Sequence, residues 1–284
     1  MDEVAFLLRP RREGWVIDGT VGMGGHAEAL LQTAPVGVRL LGLDADPEAL
    51  TRSHARLASF GDRVTLAHAS FRDLAATATT HGVREAESIL LDLGVSSQQL
   101  EESARGFSFQ VDEPLDMRLD PTAGPTASDL LDTLSEPELT RILTEYGDEP
   151  HARRIARAIV RRRPLRTTTD LVAAVKSAVP RPAWPKRLHV ATRTFQAIRM
   201  AVNDEPGALR QALPQAASLL APRGRLGVIA FHSGEDRIVK RTFRELSRAD
   251  YAEIEPSPRV PTDDEVRANP RARSAKLRVL ERIQ

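Results

Sequence analysis

Three aspartates stand at the ends of short apolar runs: Asp18 in WVIDGT (15–20), Asp44 in VRLLGLDAD (38–46) and Asp92 in SILLDLGVSS (88–97). The first run leads into DGTVGMGGH, residues 18–26, which carries Gly19, Gly22, Gly24 and Gly25. Glycines reach positive φ and let a ligand approach the backbone closely. In open α/β sheets, ligands sit beyond the carboxyl ends of the strands, beside such a turn. Asp44 follows Gly22 by 22 residues, where a carboxylate suits the two hydroxyls of a ribose. Two ligand classes fit these features, S-adenosylmethionine and a dinucleotide. Gly22, Gly24 and Ala27 even satisfy the G-x-G-x-x-A pattern of dinucleotide sites. Asp18 favours the former, because a carboxylate there suits a cationic amino acid moiety and would crowd a pyrophosphate.

Asp92 opens the motif DLGVSSQQ, and its strand is expected beside the first one, facing the reacting end of the ligand. Methylating an amino group on cytosine or adenine requires a lone pair that the ring has delocalised. A carboxylate that accepts an amine hydrogen localises that pair and can take the departing proton. Asp92 is the catalytic candidate. Its other readings are a grip on the ligand's adenine or amino group, and a cap on the next turn. Phe107 and Phe109, in RGFSF, could stack on a flipped base or fill a core between domains. Asp116 and Arg118, in PLDMRLD, could form an internal ion pair. His232, in FHS, could be a base, an RNA contact or a hydrogen-bonded structural residue, and His26 is open in the same way. No His/Asp/Glu set has metal-ligand spacing, so no metal is expected. Neither a Gly-x-Ser-x-Gly elbow nor a phosphate-loop Gly-Lys-Ser/Thr occurs.

The elements that would position these residues alternate. Apolar runs at 15–20, 38–46, 63–71 and 88–97 read as strands, with helical patterns such as GHAEALLQTA and PEALTRSHARLASF between them. Such alternation predicts a parallel α/β sheet. From about 126 to 202 the chain reads almost wholly as helices, and strand character returns at 224–233 and 274–283. The expected architecture is therefore a sheet domain, 1–103 and 203–284, with an all-helical domain, 104–202, inserted into it. Residues 256–273 are rich in Pro and Arg and read as an ordered loop or arm.

The 284 residues carry a formal net charge of +1, which hides a strong division. Residues 85–149 hold 16 acidic and 3 basic side chains, net −13, whereas 151–202 hold 13 basic and 1 acidic, net +12. In HARRIARAIVRRRPLR, Ile155, Ala158 and Ile159 fit one helical face and arginines cover the other. That face suits RNA phosphates and bases; alternatively, its arginines pair with the acidic segment. The absence of cysteine excludes disulfides, thiolate metal sites and a cysteine nucleophile. With no apolar run of about 18 residues and no signal-peptide pattern, a cytoplasmic protein is expected.

The motifs DGTVGMGGH, LLDLGVSSQQL, RGFSF, PLDMRLD, RRIARAIV, ATRTFQAIR, RGRL (223–226), FHSGEDRIVKR and NPRARSAKLR occur in this order along essentially the whole chain. Together they closely resemble the bacterial 16S ribosomal RNA cytosine-N4 methyltransferases of the MraW type. The resemblance implies a class I, Rossmann-like methyltransferase sheet with an inserted helical domain, and S-adenosylmethionine as methyl donor. It implies a cytosine in the decoding region of the assembled small ribosomal subunit as acceptor; a homodimer is compatible with it. The family's cofactor contacts fall on Gly24, Gly25, His26, Asp44, Phe71, Asp92 and Gln99; Phe71 and Gln99 rest on the resemblance alone. The chain departs from the family in three places. A preceding His-x-Pro-Val stretch is missing, Gly234 replaces the usual Leu of the FHS-L-EDR run, and the segment between Ser247 and Pro258 is short. Two rivals come from other classes: an NAD-dependent enzyme on the same sheet, and a non-enzymatic RNA-binding assembly factor.

Overall fold

The computed structural model describes residues 2–96, 99–100, 104–186, 188–248 and 250–284. The chain divides into two compact units, 1–94 with 206–284 and 95–205. The helical unit thus begins nine residues before the 104 expected from sequence and ends three after the expected 202.

The first unit is built on a seven-stranded sheet of order β3-β2-β1-β4-β5-β7-β6. The strands are β1 (Gly14–Asp18), β2 (Val38–Asp44), β3 (Val64–His68), β4 (Ala86–Asp92), β5 (Leu220–Ala230), β6 (Tyr251–Glu253) and β7 (Lys276–Arg282). The first five run parallel, and β7 is antiparallel to both β5 and β6. This is the class I methyltransferase sheet. Strand order reverses between β1 and β4, which opens a crevice at their carboxyl ends.

Helices cover both faces, so the parallel strands are apolar at nearly every position rather than at alternate ones. Successive residues then pack into different layers. Ile17, Leu41, Leu43, Ile89 and Leu91 join one core, with Leu209, Leu213, Val239 and Phe243. Val16, Leu40 and Leu90 join the other, with Val4, Leu30, Leu31 and Leu57. The covering helices are α1 (Asp2–Leu7), α2 (Gly25–Thr33), α3 (Pro47–Leu57) and α4 (Leu74–Thr80); the later helices of this unit are α10 (Glu205–Ser218), α11 (Ser233–Leu246) and the short α12 (Asp263–Ala268). The elements α1, α4, β6 and α10 were not singled out from sequence. Helix α10 holds Pro214 in its interior and is rich in Ala, Gln and Pro, so its pattern is weak; burial of Leu209, Ala212 and Leu213 against the sheet decides it. Within the expected Pro/Arg-rich loop, 263–268 is helical and 270–274 is a 3₁₀ turn.

The second unit contains α5 (Ala127–Thr133), α6 (Glu136–Glu145), α7 (Ala152–Arg162), α8 (Thr168–Ala178) and α9 (Thr192–Val202). Three of them start at reciprocal capping boxes, Thr126 with Asp129, Ser135 with Glu138 and Thr167 with Asp170. Their apolar faces close over Leu131, Leu139, Ile155, Ile159, Leu171 and Ile198. Phe107 is 7% exposed and belongs to this core. Phe109 is half-buried, stacked on His189 at 4.6 Å and edge-on to Phe195. Asp116 and Arg118 form the expected ion pair, at 2.7 Å. Asn203 ties the loop to α9, accepting from Leu119 N–H at 2.8 Å and donating to the Met117 carbonyl at 2.8 Å. No helix among the described residues is long and apolar enough to cross a membrane.

Candidate active site at the strand ends

The turn after β1 is held by its own backbone and by side chains from neighbouring strands. Gly19 N–H donates to the Leu90 carbonyl at 2.9 Å, and a Cβ on Gly19 would lie 2.6 Å from the Leu91 side chain. Gly22 and Gly24 adopt φ of 51° and 78°, the left-handed region that favours glycine. A Cβ on Gly24 would also press on Leu57 at 3.3 Å. Helix α2 therefore begins at Gly25 with its first N–H groups directed toward the strand ends.

Asp44 is oriented by this turn. Its Oδ2 accepts Gly22 N–H at 2.8 Å and its Oδ1 accepts Asp46 N–H at 2.9 Å. A carboxylate offers about four acceptor positions, so it can still take two ribose hydroxyls. Burial pushes its carboxyl above the usual range. Ala69 N–H donates to the Asp44 carbonyl at 3.0 Å, which brings the chain leaving β3 alongside. Phe71 follows two residues later, partly buried against the sheet core.

Asp18 is 1% exposed and accepts Thr20 N–H at 3.1 Å. Burial, then the charges of Asp92 and Asp44, push its carboxyl up to about 7. Thr20 also accepts the Asp92 N–H through its hydroxyl at 2.7 Å, so one side chain links the ends of β1 and β4. The Asp92 side chain keeps 32% of its surface exposed, yet its Oδ1 is buried without a hydrogen-bond partner among the described residues. Its Oδ2 lies 3.6 Å from His26 Nε2. Burial and then the charge of Glu235 push the Asp92 carboxyl up to about 7. Burial pushes His26 down to about 4, so its ring is neutral at neutral pH and does not offset these carboxylates.

His232 is the N-cap of α11. Its Nδ1 accepts Gly234 N–H at 3.2 Å and Glu235 N–H at 3.3 Å. Glu235 is 4% exposed, with Oε1 at 2.9 Å from His232 Nε2 and Oε2 accepting Phe231 N–H at 2.9 Å. Glu235 was not singled out from sequence. The signal was present, since His-x-x-Glu at a helix start has the spacing of a capping box, with histidine in place of Ser or Thr.

The first unit thus brings together Gly24, Gly25, His26, Asp44 and Asp92 around the carboxyl ends of β1, β2 and β4, with Phe71 after β3. Gln99 belongs to the second unit, where it is 7% exposed and locked to Ser96 by Ser96 N–H to Oε1 at 2.9 Å and Gln99 N–H to Ser96 Oγ at 3.2 Å. Ser97 and Gln98, of the same motif, lie outside the described residues. In this set, the buried Asp18 and the partly buried Asp44 and Asp92 gather with no cation against them among the described residues. Such a site suits a ligand that is itself cationic where it meets Asp18 and Asp92, and disfavours a pyrophosphate. The residues therefore fit S-adenosylmethionine, with its ammonium and sulfonium charges, better than a dinucleotide.

The second unit presents a different surface. On α7, Ala152, Ile155, Ala156 and Ile159 are buried, while Arg153, Arg154, Arg157, Arg161 and Arg162 are exposed. Ala156 rather than Ala158 completes the buried face. Arg157 reaches Glu136 at 3.3 Å and Arg166 reaches Asp132 at 2.9 Å, so part of the basic segment pairs with the acidic one. Arg153, Arg154, Arg161 and Arg162 form no ion pair with any described residue.

The profile of the MraW methylase family matches residues 1–283. The protein named ribosomal RNA small subunit methyltransferase H of Heliobacterium modesticaldum is 49% identical over 304 aligned residues, covering 100% of this chain and 97% of that one. Its namesake in Geotalea uraniireducens is 48% identical over 301, covering 99% and 96%. Matches of this extent, over a sheet and a carboxylate-lined crevice of the required kind, show that the chain belongs to the MraW methylase family.

Proposed function

We propose that the protein transfers a methyl group from S-adenosylmethionine to N4 of a cytosine in the decoding region of 16S ribosomal RNA, acting in the bacterial cytoplasm on the assembled small subunit. The observation that carries this reading is the cluster of buried and partly buried acids at the ends of β1, β2 and β4. Asp18 would hold the cofactor's ammonium group, Asp44 its ribose hydroxyls, and Phe71 its adenine. Gly24 and Gly25 would let the cofactor approach the backbone, beside His26. When bound, the cofactor supplies a methyl group on a positively charged sulfur, an electrophile that needs no further activation.

The protein's task is then placement and proton removal. Holding amine and methyl carbon in line supplies much of the acceleration. Asp92 would accept an N4 hydrogen, which returns lone-pair density to the nitrogen. With a carboxyl near 7, it can also take the proton released as the nitrogen–carbon bond forms. Gln99 remains a cofactor contact on the family's pattern. The four arginines of α7 that form no ion pair with any described residue would grip RNA phosphates, and Arg271 and Arg273 would add to that grip.

The direct test incubates the protein with methyl-labelled S-adenosylmethionine and small subunits from cells lacking the activity, then digests the RNA to nucleosides. Label in N4-methylcytidine is expected. Label in another nucleoside would move the target, and calorimetric binding of NAD in place of S-adenosylmethionine would overturn the reading.

A further inference from the structure

We propose, on the methyl-transfer reading above, that Thr20 is a positioning residue: its hydroxyl carries the β1–β4 ladder one step past the end of β1 and so fixes where Asp92 stands relative to Asp18. Nothing in that reading uses Thr20.

The strand register creates the need for it. The pairing of β1 with β4 ends at Asp18 with Leu90, and Gly19 N–H still reaches the Leu90 carbonyl at 2.9 Å. The chain then swings the other way. Val21 N–H donates to the Leu43 carbonyl of β2 at 2.8 Å, and Gly22 N–H to Asp44 Oδ2 at 2.8 Å. Strand β4, however, runs on to Asp92. Successive N–H groups of a strand point to opposite sides, and Leu93 N–H donates to the Ile229 carbonyl of β5 at 3.0 Å. Asp92 N–H therefore faces the β1 side, where the backbone ladder has already ended.

Thr20 fills that gap with a side chain. Its hydroxyl accepts the Asp92 N–H at 2.7 Å, and its own N–H donates to Asp18 Oδ1 at 3.1 Å. One residue thus holds the backbone beneath one carboxylate and an oxygen of the other. A hydroxyl that accepts one bond keeps a hydrogen to give, and the Thr20 side chain also lowers the Asp18 carboxyl against its burial. Losing the hydroxyl leaves Asp18 its backbone bond but takes from the Asp92 N–H its acceptor. Valine keeps the branched shape of threonine with a methyl group in place of that hydroxyl, so Thr20→Val changes little else.

The consequence falls on the transfer step. The amine nitrogen forms its bond to the methyl carbon, the carbon–sulfur pair stays with sulfur, and the surplus proton of the nitrogen passes to an Asp92 oxygen. That oxygen has to meet the amine while the donor is held from the ends of β1 and β2. A shift of about 1 Å in such a group costs up to about a hundredfold in rate. Donor binding leans on Asp18 and Asp44 and is left nearly as it was.

The test compares Thr20→Val and Thr20→Ser with wild type. It measures hydrogen exchange of the Asp92 amide by NMR, donor Kd by calorimetry, and single-turnover label transfer to small subunits at saturating donor. In Thr20→Val the Asp92 amide should exchange about tenfold faster or more. Transfer should slow by about ten- to a hundredfold, while donor Kd changes by less than about threefold. Thr20→Ser keeps the hydroxyl and should bring exchange and rate back to within about threefold of wild type. A rate lost together with donor affinity, or one that Thr20→Ser fails to restore, overturns the proposal, because Thr20 then merely supports the turn. If Thr20→Val does not fold, wild type still decides: an Asp92 amide that exchanges as fast as an unbonded one overturns the proposal. A wild type that labels no small subunit sinks the methyl-transfer reading itself, whereas wild-type labelling that persists in Thr20→Val sinks this proposal alone.

Discussion

At the scale of single residues, Asp18 shows how the site trades stability for binding. Its carboxyl is raised to about 7 mainly by burial, so the folded chain holds a proton there more tightly than the unfolded chain does. Stability is then greatest below the ordinary carboxylate range and falls as pH rises toward 7. Asp18→Asn removes that cost while keeping an oxygen for Thr20 N–H. Without cofactor, the variant should melt a few degrees above wild type at pH 8, and the difference should vanish near pH 4. Its affinity for S-adenosylmethionine should fall by about tenfold or more, the usual loss when a charge-assisted contact is removed. For wild type, affinity should weaken as pH drops below 7, which calorimetry across pH 5.5–8 would show. Asp92→Ala should abolish transfer; transfer retained with merely weaker cofactor binding would deny Asp92 a part in the chemistry. Asp18, Asp44 and Asp92 were legible in sequence because each ends an apolar run. Glu235 was not singled out, although its His-x-x-Glu spacing at a helix start carried a capping signal.

At the scale of elements, β7 and α11 are held by a buried charge network that no sequence pattern announces. Arg278 is 5% exposed and pairs with Asp236 at 2.8 Å and Glu253 at 2.9 Å. Lys276 adds a second contact to Asp236 at 3.0 Å. The partners come from a helix and a neighbouring strand, so only tertiary structure assembles them. Arg278→Ala leaves two carboxylates partly buried with less compensation and should cost about 3 kcal/mol. Thermal unfolding should report this as a fall of roughly 10 °C or less. Arg278→Lys should recover only part of it, since an ammonium cannot reproduce the guanidinium's fixed fork. Two of the motifs that carried the resemblance are structural ties of this kind. Arg225, in RGRL, donates to Glu281 at 2.8 Å and to the Leu7 carbonyl at 2.8 Å. Arg199, in ATRTFQAIR, forms a two-pronged pair with Glu205 at 2.7 and 2.8 Å.

At the scale of the whole molecule, the strand-end acids and most of the proposed RNA grip fall in different units. The strand-end acids lie in one unit, and the exposed arginines of α7 in the other. Replacing Arg153, Arg154, Arg161 and Arg162 by Ala should weaken binding to small subunits and flatten its dependence on salt. The slope of log K against log salt should fall by about 0.7 to 0.9 for each phosphate that is no longer neutralised. Affinity for S-adenosylmethionine should stay unchanged, because none of these arginines is among the residues proposed to hold it. A filter-binding series over salt concentration, with calorimetry of the cofactor, separates the two effects. Equal salt slopes for variant and wild type would return these arginines to an ordinary solvated face.

The sequence alone determined the alternation of strands and helices, the helical insertion, the glycine turn and the three strand-end aspartates. Those features are local: apolar runs, turn chemistry and capping pairs act over a few residues, so they can be read along the chain. The tertiary structure decided the rest. It ordered β7 between β5 and β6, recruited α10 to the sheet despite its weak pattern, buried Phe107 in the helical core and made His232 a cap. It also set the proton affinities of Asp18 and Asp92, which depend on burial and on charges from distant segments. A carboxyl's residue type is written in the sequence; its proton affinity follows from the solvent and the charges that the fold brings to it.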